Sequence, residues 1–149
     1  MDELIQAMKV VLADTVSLKY KAHGYHWNVE GNDFASWHET FGDIWEDFDE
    51  AIDTAAEWLR KLDTYAPFKL SRFLELTEIP ETDVNSDPLV MAADLLTSID
   101  LATVTLQNAF DLATTQRQQG YANFLADRMT MHQRWHWFLT VSLKDVGND

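Results

Sequence analysis

The chain of 149 residues contains no cysteine, only three prolines and only five glycines. Without cysteine it has no disulfide framework, no thiolate metal site and no cysteine nucleophile. A basic leader is missing too, because the first residues, Met1-Asp2-Glu3-Leu4, are acidic. We see no window that approaches the roughly 20 apolar residues of a membrane span. These absences predict a protein of the cytoplasm, with neither a secretory signal nor a membrane segment.

Positive charge is also scarce. Eleven lysines and arginines stand against 25 aspartates and glutamates, which gives a formal net charge of −14. Such a chain repels nucleic acid and anionic membranes and attracts cations. Its content of 46% hydrophobic and 12% aromatic residues is typical of a folded protein rather than a disordered one. The length predicts a single domain over residues 1–149.

Apolar residues recur at intervals of three and four, which predicts long helices. The four predicted helices cover residues 1 to about 29, 34 to about 62, 88 to about 116, and about 121 to 144. Asn32 or Asp33 is a candidate N-cap for the second, and Ser86-Asp87-Pro88 is a strong start for the third. A linker over residues 63–87 separates the second and third helices and holds a short helix over residues 71–76. We therefore predict an all-α, ferritin-like four-helix bundle with one long crossover.

Histidines and carboxylates are the candidate metal ligands. His26 lies near the end of the first predicted helix, and His38 lies one turn into the second. Asp53 and Glu57 are four residues apart on the second helix, so their side chains share one face. Imidazole and carboxylate donors suit iron, zinc or manganese rather than a soft metal. The four residues are therefore a candidate site for one of these ions.

Distance along the second helix decides how these ligands could meet. His38 and Asp53 are fifteen residues apart, or about 22 Å along a helix axis, so they cannot hold one ion within a single chain. In an antiparallel two-fold dimer, His26 and His38 of one chain would meet Asp53 and Glu57 of the other, giving two sites. The alternative is that the pattern is accidental: an acidic helix often has a solvated face, and His26 can be a hydrogen-bonded histidine at a helix end.

A motif around these residues resembles the Dps family, the small ferritin-like proteins of starved or stressed cells. The residues that carry the resemblance are Tyr25-His26-Trp27-Asn28-Val29, Phe34, His38-Glu39, Phe41, Asp49-Glu50-Ala51, Asp53 and Ala56-Glu57. Pro67 and the run from Phe73 to Ile79 look like the family's short helix in the crossover. Arg134, followed by Trp137-Phe138-Leu139, looks like its last helix. The resemblance covers most of the chain.

The resemblance implies a cage of twelve subunits with ferroxidase sites at two-fold dimer interfaces. Such proteins oxidise Fe(II), preferentially with hydrogen peroxide, and store the ferric product as mineral. His26 and His38 would form one half of each site, and Asp53 and Glu57 the other, with Glu57 the strongest carboxylate ligand. Trp27 resembles the aromatic residue beside the family's site, which takes up stray oxidising equivalents. The simpler alternative for Trp27 is core packing beside a helix end.

One departure from the family pattern lies within the motif. The family has an aspartate four residues after the second histidine, and this chain has Gly42. Asp43 points about 100° away on a helix, whereas Glu46 or Asp49 could compensate if the geometry relaxed. Loss of a carboxylate weakens a hard-cation site. Two alternatives therefore stand beside the ferroxidase: a shell or interaction protein with an inactive site, and a bundle that binds zinc or manganese.

Two further departures concern the ends of the chain and one connection. Many family members bind DNA through a lysine-rich tail, but here the first lysine is Lys9 and residues 144–149 are acidic. With a charge of −14 the phosphate backbone is repelled, so we predict no direct DNA binding. The connection over residues 115–120 is neutral or basic, where many relatives are acidic near their iron-entry pores.

The remaining histidines have weaker signals. His23 lies three residues before His26, so it could be an auxiliary or alternative ligand, although a polar surface histidine is the simpler prediction. His132 and His136 are four residues apart on the last predicted helix, a spacing that can hold zinc. Since they are surrounded by Trp135, Trp137 and Phe138, we predict aromatic packing at an interface instead.

Overall fold

The computed structural model describes residues 1–144, which form five helices and no strand. The helices are α1 (Asp2–Asn28), α2 (Phe34–Lys61), α3 (Leu70–Leu76), α4 (Pro88–Thr115) and α5 (Gln119–Ser142). The predicted all-α bundle with a short helix in the long crossover is confirmed. Every predicted helix end falls within two residues of the observed one, because glycine, proline and capping residues mark these ends locally.

Local chemistry explains where the helices begin and end. The Asp87 carboxylate accepts a hydrogen bond from the Leu89 N–H at 2.9 Å, and Pro88 occupies the first turn of α4. Asp33, one of the two predicted candidates, is the N-cap of α2. Its side chain makes no capping hydrogen bond. Asp63 and Arg117 adopt positive φ angles of 58° just after α2 and α4. Such left-handed residues reverse the chain and end a helix.

The four long helices surround a core with two clusters of apolar side chains. The first cluster includes Phe41, Phe48, Ile99 and Leu139, all fully buried, and joins α2, α4 and α5 beside the last half of α1. The second cluster lies towards the opposite end of the bundle, and its fully buried members are Leu4, Met8, Leu59, Ala109, Ala113 and Leu125. Phe41, Ile44, Phe48 and Leu59 of α2 face this core, but Phe34 at the beginning of α2 is 43% exposed.

Helix α4 corrects one expectation from the sequence. By length and composition it is apolar enough to cross a membrane, although we expected no such segment. Leu95, Ile99 and Leu106 of α4 are buried inside the bundle. A core helix of a soluble fold passes the same test of composition, and the place of α4 in this bundle is that of a core helix.

A buried ion pair joins α2 to α5. Both oxygens of the Asp47 carboxylate accept hydrogen bonds from the Arg128 guanidinium, at 2.8 and 2.9 Å, and Trp135 Nε1 donates a third at 2.8 Å. Burial alone would raise the pKa of Asp47, but the hydrogen bonds and charge of Arg128 hold it below its usual value. Asp47 was not among the residues that the sequence singled out, because nothing local separates it from the other carboxylates of α2.

A second buried carboxylate ties the crossover to α1. Asp14 is 2% exposed and accepts hydrogen bonds from the Thr77 hydroxyl and the Glu78 N–H, each at 2.8 Å. The Ser17 hydroxyl donates to Thr77 at 3.0 Å. Burial raises the pKa of Asp14 despite these bonds. The folded chain therefore keeps this proton to higher pH than the unfolded chain does, and the contribution of Asp14 to stability falls as pH rises through that range.

Replacing Asp47 tests the ion pair between α2 and α5. We expect Asp47→Ala to lower the free energy of unfolding by about 3–5 kcal/mol, because Arg128 would stay buried without a partner. Urea denaturation at fixed protein concentration measures it. Because the pKa of Asp47 is lowered in the folded chain, its contribution is present above the unfolded pKa and is lost as pH falls. The variant should therefore lose less stability in acid than the wild type does.

The matched control is Glu75→Ala, which breaks the exposed pair of Glu75 with Arg72. Exposed ion pairs contribute less than about 1 kcal/mol, so this variant should stay close to the wild type. Equal losses in the two variants would contradict the importance of the buried pair.

Candidate metal centre

His26 and His38 form a reciprocal pair across the contact between α1 and α2. His26 Nδ1 lies 2.6 Å from the His38 carbonyl oxygen, and His38 Nδ1 lies 2.7 Å from the His26 carbonyl oxygen. The two rings stack with centroids 3.7 Å apart and planes 16° apart. A carbonyl only accepts, so each Nδ1 carries the hydrogen, and Nε2 of a neutral ring keeps the free electron pair. Metal-binding histidines are commonly held by their second nitrogen in this way.

A short connection brings the two histidines together. Helix α1 ends at Asn28 and α2 begins at Phe34, and Gly31 between them has a φ of 120°, which favours glycine. The last turn of α1 therefore folds back directly on the first turns of α2. The Phe34 ring stacks beside His38 at 5.0 Å. The structure therefore places His26 and His38 of one chain side by side, as the sequence predicts for one half of the site.

Gly42 lies one turn after His38 and is buried. A Cβ atom at this position would lie 3.1 Å from His26 Nδ1 and 3.3 Å from His26 Cε1. These distances are tighter than about nine in ten real Cβ contacts, so the His26 ring would have to shift by a few tenths of an ångström. A glycine in a helix costs roughly 1 kcal/mol relative to alanine. The missing side chain thus has a local explanation, since its absence lets the His26 ring lie against α2 and reach the His38 carbonyl.

Asp53 and Glu57 form a separate carboxylate pair farther along α2. Both side chains are exposed. Asp53 raises the pKa of Glu57, first through a hydrogen bond between the two side chains and then because two carboxylates one helical turn apart resist ionising together. A bound cation would relieve this repulsion, so the pair has the electrostatic character of a cation half-site. Along the helix axis, Asp53 lies about 22 Å and Glu57 about 28 Å from His38. Residues 1–144 hold no group of three or more histidines and carboxylates arranged for a metal ion.

Trp27, Glu46 and Asp49, the residues expected to assist the site, all have exposed side chains. Trp27 is 59% exposed, so the core-packing alternative is wrong. Its indole lies against the His23 ring with centroids 4.0 Å apart. Glu46 and Asp49 are exposed, and in the described chain neither makes a hydrogen bond to His26 or His38. The charge of Asp49 acts to raise the pKa of His23, but burial and the charges of Lys19 and His26 lower that pKa by more.

His23 is not the solvated surface histidine that the sequence suggested. Its ring stacks on Trp45 with centroids 3.9 Å apart and planes 11° apart. Its Nδ1 is buried and has no hydrogen-bond partner within residues 1–144. Burial, then the charges of Lys19 and His26, lower the pKa of His23. The only sequence signal for this environment was the spacing of His23 from His26, because Trp45 comes from α2.

His132 and His136 do not share a site. His132 is 4% exposed, pairs through Nδ1 with the Thr103 hydroxyl at 2.9 Å, and meets the Phe48 ring edge-on. Burial lowers the pKa of His132 to about 3. His136 is exposed and pairs with Asp100 at 2.8 Å. His132 thus packs against an aromatic ring in the core of the subunit rather than at an interface, and the expected packing of His136 at an interface stays a prediction.

Comparisons with known proteins agree with this architecture. Residues 5–146 match the ferritin-like domain family. A low temperature-induced protein of Nostoc is 32% identical over 91% of this chain and 77% of its own length. The DNA protection during starvation protein of Helicobacter pylori is 28% identical, covering 93% of this chain and 96% of that protein. The structure of a Vibrio cholerae Dps protein, 24% identical, superposes with a TM-score of 0.92 over 96% of this chain and 90% of that one. This last likeness concerns the fold alone.

Adding a methyl group at position 42 tests the contact with His26. We expect Gly42→Ala to push the His26 ring away and to lose its bond to the His38 carbonyl, which imidazole ¹H–¹⁵N NMR would detect. The free energy of unfolding of this variant should also lack the gain of roughly 1 kcal/mol that replacing glycine by alanine usually gives in a helix. Gly24→Ala is the control, because a Cβ atom at Gly24 of α1 meets nothing within 4 Å. This substitution should therefore stabilise the protein. Unchanged His26 signals in Gly42→Ala would contradict the proposed crowding.

Neutralising Asp53 tests the carboxylate pair. The pKa of Glu57 is raised because Asp53 is close, so Asp53→Asn should bring the pKa of Glu57 down towards its ordinary value. Carboxyl ¹³C NMR titration measures the change. Asp43→Asn, an exposed carboxylate elsewhere on α2, serves as the control. If the two variants leave the titration of Glu57 equally unchanged, the two carboxylates do not act as a pair.

Proposed function

Because the chain belongs to the Dps branch of the ferritin-like domain family, we propose that it oxidises Fe(II) and stores ferric iron. The observation that carries this proposal is the reciprocal bonding of His26 and His38. Both rings keep Nδ1 engaged with a carbonyl group and leave Nε2 as the donor for a metal ion. Fe(II) is here a substrate, which two imidazoles and two carboxylates can hold.

The proposed sites lie between two subunits. One chain supplies His26 and His38, and a two-fold partner supplies Asp53 and Glu57. The separation of about 22 Å along α2 supports this division, since neither half can complete a site alone. A two-fold contact is self-complementary, so each dimer would have two sites. Following the family, we propose that six dimers form a cage of twelve chains that encloses the mineral.

In this proposal the residues of the chain bind iron and hold its charge. The imidazoles supply neutral nitrogen donors, and Glu57, with Asp53 beside it, supplies the negative charge that a hard cation requires. Two Fe(II) ions each give one electron to hydrogen peroxide, which is reduced to water after taking up protons. The net charge of −14 per chain draws Fe(II) towards the shell. Trp27, exposed beside His23, is placed to take up stray oxidising equivalents.

Iron is the metal that the family favours over zinc or manganese. The ligand types alone suit all three ions. The Vibrio cholerae Dps protein, which shares the fold, is described as a member of the ferritin-like diiron-carboxylate superfamily. Metal analysis of the purified protein distinguishes the three ions, and a stoichiometric zinc or manganese content without iron uptake would contradict the proposal.

A second candidate function rests on Gly42. With no carboxylate at this position, the chain could form a ferritin-like shell that oxidises iron slowly or not at all. A side chain at position 42 requires the His26 ring to give by only a few tenths of an ångström, so substitution can restore a carboxylate here. Rapid oxidation by the wild type rejects this second function, whereas activity gained only in Gly42→Asp supports it.

Direct DNA binding is not part of the proposal, although the Helicobacter pylori relative is named for DNA protection. The net charge of −14 repels the phosphate backbone, and the first lysine is Lys9. The acidic residues 145–149 that contributed to this expectation lie outside the described part of the chain. We propose a cytoplasmic protein whose main partners are its own copies, Fe(II) and hydrogen peroxide.

Subunit mixing tests the shared site. Anaerobic Fe(II) loading followed by peroxide should give ferric absorbance in the wild type and little in a variant with His26→Ala and His38→Ala. A second variant with Asp53→Asn and Glu57→Gln should also be inactive. Co-assembly of equal amounts should restore about a quarter of the wild-type sites, because half the dimers are mixed and each mixed dimer has one intact site of two. Homogeneous assemblies of each variant are the controls.

Two outcomes would contradict the proposal. If co-assembled shells stay inactive although mass spectrometry shows mixed dimers, the sites are not shared between subunits. If either double variant oxidises Fe(II) as fast as the wild type, these residues do not form the site.

A further inference from the structure

We propose that the start of the crossover binds a mononucleotide, in a cavity between α1 and residues 65–72. This site is separate from the proposed Fe(II) site and does not depend on it. The ligand class is a small phosphate ester that carries a planar aromatic ring. The proposal rests on basic side chains that stand beside two outward-facing aromatic rings.

The first observation is the cavity itself. It has a volume of about 320 Å³ and is lined by Lys9 of α1, by residues 65–69 and by Arg72. Cavities that bind small molecules usually have volumes of roughly 300–1,000 Å³, and most of their walls are apolar. Here Ala66, Pro67 and two aromatic rings supply the apolar walls, and basic side chains supply the polar groups. The cavity therefore has the size and composition of a site for a small ligand.

The second observation is the sign of the charge. Three of the seven lining residues, Lys9, Lys69 and Arg72, are basic, and none of the seven is acidic. Arg60 adds a fourth positive charge beside the Tyr65 ring. The whole chain has only 11 basic residues against 25 acidic ones, so four basic residues at one cavity are a local excess. A concentration of positive charge attracts anions.

The third observation is the exposure of the two aromatic rings. Tyr65 is 83% exposed and Phe68 is 81% exposed, so packing within the subunit does not explain either ring. The Arg60 guanidinium lies 4.8 Å from the centre of the Tyr65 ring. A cation at this distance covers one face of a ring and leaves the other face open. Exposed aromatic faces of this kind stack on nucleobases, so they favour a ligand with a planar ring over a bare anion.

The basic side chains keep hydrogen-bond donors for a phosphate group. Arg72 Nη1 donates to the Glu75 carboxylate at 3.0 Å in an exposed pair. A guanidinium has five N–H donors, so this bond leaves most of them to a ligand. The ion pairs found within residues 1–144 involve neither Lys9 nor Lys69. Charged donors of this kind make the stronger hydrogen bonds to phosphate oxygens.

The net charge of the chain selects a small ligand over a nucleic acid polymer. Binding of a polymer depends on how many of its phosphates are neutralised by basic residues. With a net charge of −14, the surface beyond the cavity would repel most of those phosphates. A mononucleotide brings a single phosphate group, which the basic residues of the cavity can neutralise. The proposed site is therefore compatible with the absence of direct DNA binding from the proposed function.

The experiment uses the assembled full-length protein at low ionic strength, with adenosine monophosphate (AMP) as the probe. We expect calorimetry to show saturable binding of one AMP per chain, which weakens as added salt screens the charges. Inorganic phosphate and adenosine should each bind at least about 10-fold more weakly than AMP, since each makes only part of the contacts. An absence of saturable binding overturns the proposal, as does phosphate or adenosine that binds as tightly as AMP.

Two variants separate the charge from the stacking. Lys69→Gln should weaken the binding of AMP and of inorganic phosphate alike. Phe68→Ala should weaken AMP binding by about 10-fold and leave phosphate binding unchanged. The matched control is Lys19→Gln, because Lys19 lies 4.0 Å from the Tyr20 ring but does not line the cavity. If Lys19→Gln and Lys69→Gln weaken AMP binding equally, the effect is one of general charge and the proposal is overturned.

Glu75→Gln gives a change of the opposite sign and applies even if the other variants fail to assemble. It removes the carboxylate that engages Arg72, so AMP binding should become tighter. Weaker or unchanged binding in this variant contradicts a phosphate contact with Arg72. A short single-stranded oligodeoxyadenylate is the last probe. If it binds more tightly per chain than AMP and Lys69→Gln weakens it, the cavity belongs to a polynucleotide surface and the assignment to a mononucleotide is wrong.

The oxidation of Fe(II) with peroxide distinguishes this inference from the proposed function. Lys69→Gln and Phe68→Ala should give as much ferric absorbance as the wild type. If the wild type oxidises Fe(II) but does not bind AMP, only the inference about the cavity is wrong. If it binds AMP but does not oxidise Fe(II), only the proposed function is wrong.

Discussion

The site depends on one close contact, in which His26 and His38 each donate to the other's carbonyl group. Gly42 gives the His26 ring its present room against α2, because a Cβ atom at this position would lie 3.1 Å from His26 Nδ1. The two hydrogen bonds fix the tautomers and orient both rings before any ion arrives. They also hold the last turn of α1 to the beginning of α2, so the geometry of the site and the packing of the hairpin are one feature. In the proposed site, the two imidazole donors are therefore oriented by backbone carbonyls rather than by further side chains.

The second constraint is the length of α2. A straight helix separates its own histidine and carboxylate half-sites by about 22 Å, so no rearrangement of rotamers can bring them together. Each half also remains incomplete by itself. In the carboxylate pair, the hydrogen bond and the charge of Asp53 raise the pKa of Glu57, and the imidazoles carry no negative charge. In the proposed dimer both deficits are removed together, which would couple cation binding to the association of subunits. This coupling follows from complementary charge, and it needs no conformational change.

The residues that the sequence missed have a common physical character. Asp47 looks like any carboxylate on an acidic helix, and only its pairing with Arg128 and Trp135 of α5 makes it a buried anchor. His23 seemed to be a surface residue until Trp45 from α2 covered it. Trp27 seemed suitable for the core, yet its side chain faces outwards. For Asp47 and His23 the decisive neighbour lies on another helix, and hydrophobic periodicity along one helix carries no information about such neighbours.

The sequence alone determined the helices, their ends, the long crossover and the identity of the candidate ligands. Those properties follow from the chain's local periodicity and capping residues, and, for the ligands, from residue types at fixed spacing. Only the tertiary structure decided the rest. It stacked the two histidine rings, explained Gly42 by the space that the His26 ring occupies, buried Asp47 beside Arg128 and enclosed His23 between two indoles. These outcomes depend on which side chains meet between helices, and such distances are set by packing in three dimensions rather than by position along the chain.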